Sequence, residues 1–133
     1  MTDVSFTLSF FKVNVADLEA AVRFYTETFG FTVADQVNLP TVEERMLTMP
    51  GSKFTLVLLR WTDGRAISVG NGFGPVGFMT RDVDAAYAKA LANGATSSRA
   101  PTDLGPMRLA FVLDPEGHEI ELIQYRPAAK DAA

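Results

Sequence analysis

The chain has no cysteine, one histidine and one tryptophan in 133 residues. The missing cysteines exclude disulfides, thiolate metal sites and thiol nucleophiles together. The single histidine, His118, would have to serve any Ser-His-Asp arrangement, and neither Gly-x-Ser-x-Gly nor His-Glu-x-x-His occurs. No apolar run approaches the roughly 20 residues of a membrane span, and Met1-Thr2-Asp3 opens no signal peptide. Like charges go no further than the pair Glu43-Glu44, and the net charge of −4 speaks against a nucleic-acid partner. The glycines of Gly70-Asn71-Gly72-Phe73-Gly74 neither follow the right strand nor open a helix, so no phosphate loop and no nucleotide cofactor is read there. These absences leave a cytoplasmic protein with no membrane or nucleic-acid partner and no cofactor as the expectation.

What is present is apolar. Hydrophobic residues make up 47% of the chain and ten are phenylalanine, enough to bury a core in one domain or in two small halves that share one. Alternation predicts a strand over residues 6–15, with Phe11, Val13 and Val15 on one face and Leu8, Phe10, Lys12 and Asn14 on the other. Asp17 caps a helix whose apolar positions are Leu18, Ala21, Val22, Tyr25 and Phe29, and Gly30 stops it. Strands follow over 31–39, 43–49 and 54–61. Residues 62–74 read as a linker or a lid.

The pattern then recurs. A strand over 75–80 leads to a helix capped by Asp82 and ending at Asn93-Gly94, a short segment at 96–99 and a strand over 107–113. Laid on each other, Asp17-Leu-Glu-Ala-Ala falls on Asp82-Val-Asp-Ala-Ala, and Val57 falls on Glu121. The organisation is a first βαβββ half over 1–61, the connection 62–74, a second half over 75–126 and a frayed tail at 127–133.

The last strand carries the clearest chemistry. Asp114-Pro115-Glu116-Gly117 is a turn, after which Ile120 and Leu122 alternate with Glu119, Glu121 and Ile123. Glu121 is therefore a carboxylate in the middle of an apolar strand. His118 has the opposite parity and reads as a solvent-exposed turn residue.

The stretch Asp17-Leu-Glu-Ala-Ala-Val-Arg-Phe-Tyr-Thr-Glu-Thr-Phe-Gly-Phe31, with Asp114-Pro-Glu-Gly-His-Glu-Ile-Glu-Leu-Ile-Gln124, resembles the vicinal oxygen chelate superfamily of glyoxalases, bleomycin-resistance proteins and dioxygenases. The resemblance covers about residues 6–126. It implies an α+β fold in which two tandem βαβββ units make a cup-shaped mixed sheet, and commonly a homodimer. In metal-dependent members it further implies His or Glu at four strand positions, which fall here on Phe10, Val57, Pro75 and Glu121. One carboxylate among Phe, Val and Pro cannot supply a divalent cation, so no metal site is expected.

On the implied cup face lie Phe10, Lys12, Val57, Leu59, Trp61, Pro75, Met79 and Ile123, with Trp61 placed to stack on a planar group. Arg108, on the preceding strand, is the expected ion partner of Glu121. Arg45 is a further candidate anion partner. The expected function is metal-free binding of a small, partly apolar or aromatic molecule. The alternative is a lyase or isomerase of the glyoxalase type with Glu121 as general base. A third reading, a structural module whose cup is filled by its own side chains, stays open at this point.

Overall fold

The structure, a computed structural model, describes residues 3–126; the tail expected at 127–133 lies outside the described residues. The elements run β1 (Phe10–Asn14), α1 (Leu18–Phe29), β2 (Thr32–Asn38), β3 (Val42–Thr48), β4 (Thr55–Trp61), β5 (Val76–Met79), α2 (Val83–Ala92), β6 (Thr96–Leu104), β7 (Met107–Leu113) and β8 (Glu119–Tyr125). This is the α+β, doubled βαβββ arrangement expected. The chain divides into two compact units, Met1–Ile67 and Ser68–Ala133, with the boundary inside the 62–74 stretch. No helix among the described residues is long and apolar enough to cross a membrane.

In the first unit, the Ala20 N–H donates to Asp17 Oδ1 at 3.0 Å and so satisfies one of the open donors at the start of α1. At the other end, Gly30 takes φ 79°, a left-handed conformation that glycine adopts without a Cβ penalty, and donates to Thr26 O. The buried stripe of α1 is Leu18, Ala21, Phe24, Tyr25 and Thr28. Phe24 is buried, whereas the expected Val22 sits at the edge of the stripe and is only half-buried. Phe24 meets Tyr25 edge-on at 5.0 Å, and Tyr25 meets Phe31 at 6.3 Å.

Each unit holds one four-stranded sheet, ordered β1-β4-β3-β2 in the first and β5-β8-β7-β6 in the second. In both, the first strand runs parallel to the last and the remaining pairs are antiparallel. The sequence repeat is visible in the register, because Lys12 sits beside Val57 and Gly77 beside Glu121.

Hydrogen bonds to the helices decide which face of each sheet is which. Arg60 Nε donates to Ala16 O just before α1, so Leu56, Leu58 and Arg60 face the helix. Leu56 and Leu58 are fully buried there with Val13, Val15 and Leu47. In the second unit the Val83 N–H donates to Gln124 Oε1, which puts Ile120, Leu122 and Gln124 on the α2 side. The helix-free faces carry Val57, Leu59 and Trp61 in one sheet and Glu119, Glu121 and Ile123 in the other.

Two strands differ from expectation. β1 starts at Phe10, not residue 6, because Phe10 pairs with Thr55, the first residue of β4, and residues 6–8 have nothing to pair with. The last link is Thr55 N–H to Ser9 O, which leaves Phe6 and Leu8 exposed. β6 extends over nine residues where a short segment was expected. Register shifts on both sides of Arg99 absorb Ala100-Pro101, a dipeptide that reads in sequence as a strand end.

Candidate functional site

The Asp114 turn sets the position of Glu121. Asp114 is buried, and its Oδ1 accepts the N–H groups of Glu116 at 2.9 Å and His118 at 3.0 Å. His118 Nδ1 lies 2.8 Å from Asp114 Oδ2. A carboxylate can only accept, so the proton of this contact is on Nδ1. The expected solvent-exposed histidine is therefore a turn residue clamped to a buried acid, with its side chain 16% exposed. Asp114 N–H to His118 O and Gly117 N–H to Asp114 O close the turn and start β8 in register.

Glu121 projects from the helix-free face of the second sheet. It is half-buried, and none of the hydrogen bonds or ion pairs of the described residues involves its carboxylate. Its neighbours across the ladder are Phe111 on β7 and Gly77 on β5. A Cβ built on Gly77 would meet nothing within 4 Å, so the space on that side of the carboxylate is open. Gly77 was not singled out in the sequence; the signal was the repeat itself, which pairs Gly77 with Glu121 as it pairs Lys12 with Val57. Pro75 precedes β5 and does not occupy this row. Ile123 is half-buried beside Glu121, and Met79, at the end of β5, is exposed.

Arg108 is not the partner of Glu121. It pairs with Gln124 on the opposite face and binds Asp84 of α2 through Nε and Nη2, each at 2.9 Å, and Asp103 through Nη1 at 3.0 Å. The alternation of β7 turns it towards α2, where its guanidinium forks onto the Asp84 carboxylate. That fork holds the Asp84 carboxyl below its ordinary value of 3.8.

On the helix-free face of the first sheet, Lys12 Nζ contacts Glu44 Oε2 at 2.5 Å. Because β4 lies between β1 and β3, this bridge must cross β4, over Val57 and Leu59. Both are buried, so they form the floor beneath the bridge rather than an open wall. Phe10 is 54% exposed, with Lys12 Nζ 5.7 Å from its ring centre. Trp61 does stack on a planar group, but that group is the chain's own Arg65, whose guanidinium carbon is 3.6 Å from the ring centre. Asp63 holds Arg65 in place through Nε and Nη2. In the sequence Glu44 shows only as half of a charge pair, because its strand has no clean apolar face; its ion partner, Lys12, lies two strands away.

Arg45 turns to the other side and donates to Asn38 Oδ1 and Glu44 O. With Arg60, Asp17, Glu19 and Glu43 it lines a cavity of about 370 Å³ at the start of α1. Both guanidinium groups there are already engaged, Arg60 by Glu43 at 2.9 Å.

The metal implied for some relatives by resemblance does not fit these residues. Of Phe10, Val57, Pro75 and Glu121 only the last can donate to a cation, and among the described residues no group of three or more His, Asp or Glu could hold one.

Comparison with known proteins agrees with the fold. The chain is 33% identical over 125 residues to a putative lactoylglutathione lyase of Brassica oleracea var. gemmifera, covering 86% of this chain and 43% of that one. It therefore spans less than half the length of this plant relative. A probable lactoylglutathione lyase of Vibrio parahaemolyticus is 30% identical over 124 residues, covering 88% of this chain and 89% of that one. Glyoxalase I from Zea mays superposes with a TM-score of 0.80 at 25% identity, over 91% of this chain and 45% of that one. A glyoxalase family protein from Bacillus cereus superposes at 0.82 with 18% identity, over 94% and 97% of the two chains. A family model matches residues 7–122, and the chain belongs to the Glyoxalase/Bleomycin resistance protein/Dioxygenase superfamily.

Proposed function

We propose that the chain binds a small, partly apolar molecule on the helix-free faces of its sheets, without the metal of the metal-dependent members. The observation that supports this most is Glu121. It is a half-buried carboxylate with no partner among the described residues, set beside Phe111, Ile123 and the open space at Gly77. A carboxylate in such a place seeks a polar group of a ligand, while the apolar neighbours take the ligand's body. A second copy of the chain is the proposed partner, as the family resemblance implies. Native mass spectrometry of the protein purified without added metal should give twice the chain mass and no metal. A stoichiometric divalent ion would defeat the metal-free reading, and a monomer would defeat the dimer.

The names of the curated relatives favour a second reading, a lyase or isomerase in which Glu121 removes a proton next to a carbonyl. With lactoylglutathione in D₂O, NMR would then show deuterium entering at the carbon beside the thioester carbonyl. Glu121→Gln should slow that exchange by about 10²–10⁴-fold. Absence of exchange in the unmodified protein removes the enzyme reading and leaves binding. Exchange that survives Glu121→Gln removes Glu121 as the base.

A further inference from the structure

We infer that Lys12, oriented by Glu44, receives the carboxylate of a small organic acid on the helix-free face of the first sheet; this rests on the reading that these faces bind small molecules. The two ends of the bridge are not equally accessible. The Glu44 side chain is 8% exposed and the Lys12 side chain 43%. The pair therefore buries its negative end and presents its positive end. Glu44 Oε2 takes one of the three ammonium donors, and the remaining two are available to a ligand oxygen.

The surroundings select for the rest of the ligand. Phe10 flanks the ammonium and is itself half open, so an apolar body has a surface to lie on next to the charge. Further along the same face, Trp61 is capped by Arg65, a second cation held by Asp63. On this face Lys12 and Arg65 each lie against an aromatic ring and are each held by an acid, Glu44 and Asp63, while Asp35 on the outer strand β2 is exposed. The second unit has no counterpart to this bridge, since Gly77 occupies the position that matches Lys12. The charge is thus a property of one half alone, added to a repeated frame.

The net charge of −4 would by itself repel an acid, so a preference for one reports local recognition. The test uses biphenyl-4-carboxylate and biphenyl-4-carboxamide, two probes of the same shape, titrated by calorimetry at 0.15 M salt. The native chain should bind the acid about 10-fold more tightly than the amide, the value of a charge-assisted hydrogen bond on a partly exposed face. Lys12→Arg should keep that preference and Lys12→Met should lose it. Because Lys12→Met strands a buried carboxylate, the double change Lys12→Met/Glu44→Gln is measured as well, with circular dichroism confirming the fold. Equal binding of both probes by the native chain overturns the inference but leaves the binding reading standing. Binding of neither overturns both. An acid preference that persists in the double variant shows that the anion sits elsewhere and also overturns the inference.

Discussion

Leu58→Ala is expected to lower the stability of the chain by about 2–5 kcal/mol, read as a fall in the urea midpoint at unchanged slope. Leu58 is fully buried in the middle strand pair of the first sheet, beside Val13 on β1 and Arg45 on β3. Removing its branched end takes away the transfer free energy of three carbons and leaves a void beneath α1 that neighbouring strands cannot close without breaking register. Leu122 occupies the matching place in the second sheet and is also buried, so Leu122→Ala should fall within the same range. A loss below about 1 kcal/mol at both positions would mean that the helix-facing layers are not close-packed.

Asp114→Ala is the second large effect, at about 3 kcal/mol or more. Three donors converge on this buried carboxylate: the N–H groups of Glu116 and His118 and the His118 ring. Hydrogen bonds to a charged acceptor contribute about 1.5–3 kcal/mol each, and donors left buried without a partner cost more than the bonds themselves. Asp114→Asn keeps a carbonyl oxygen for the backbone donors but turns an amide towards His118 Nδ1, so it should lie between the native chain and the alanine variant. Urea denaturation orders the three. Equal stability of the alanine variant and the native chain would refute the account of the turn. The effect reaches the candidate site, because this turn starts the ladder that sets Glu121 beside Phe111.

The elements were legible in the sequence wherever one local rule decided them. Asp17 and Gly30 bound α1 as caps because capping needs only neighbours in the chain. The repeat also placed Val57 and Glu121 at matching positions, and the register agrees. What was not legible depends on pairing between strands distant in sequence. Lys12 finds Glu44 only because the order β1-β4-β3 brings their strands to either side of β4. Arg108 was assigned to Glu121 on adjacency of strands, and parity within the β7–β8 ladder sends it to Asp84 instead. Arg65 covers Trp61 from the 62–74 stretch, which reads in the sequence only as a linker or a lid. His118 and Asp114 are four residues apart, and their contact needed the turn geometry rather than the alternation of the strand that follows.

The two register shifts around Arg99 have a bearing on solubility. β6 is one of the two edge strands of its sheet, and an edge strand offers an unpaired row of backbone groups to any passing chain. Pro101 removes one donor from that row, and the irregularities on either side of Arg99 break the straight spacing a docking strand would have to match. β2, one edge strand of the other sheet, carries its own shift between Val33 and Asp35. A sequence this rich in phenylalanine thus ends one edge of each sheet on a strand that is a poor template for aggregation.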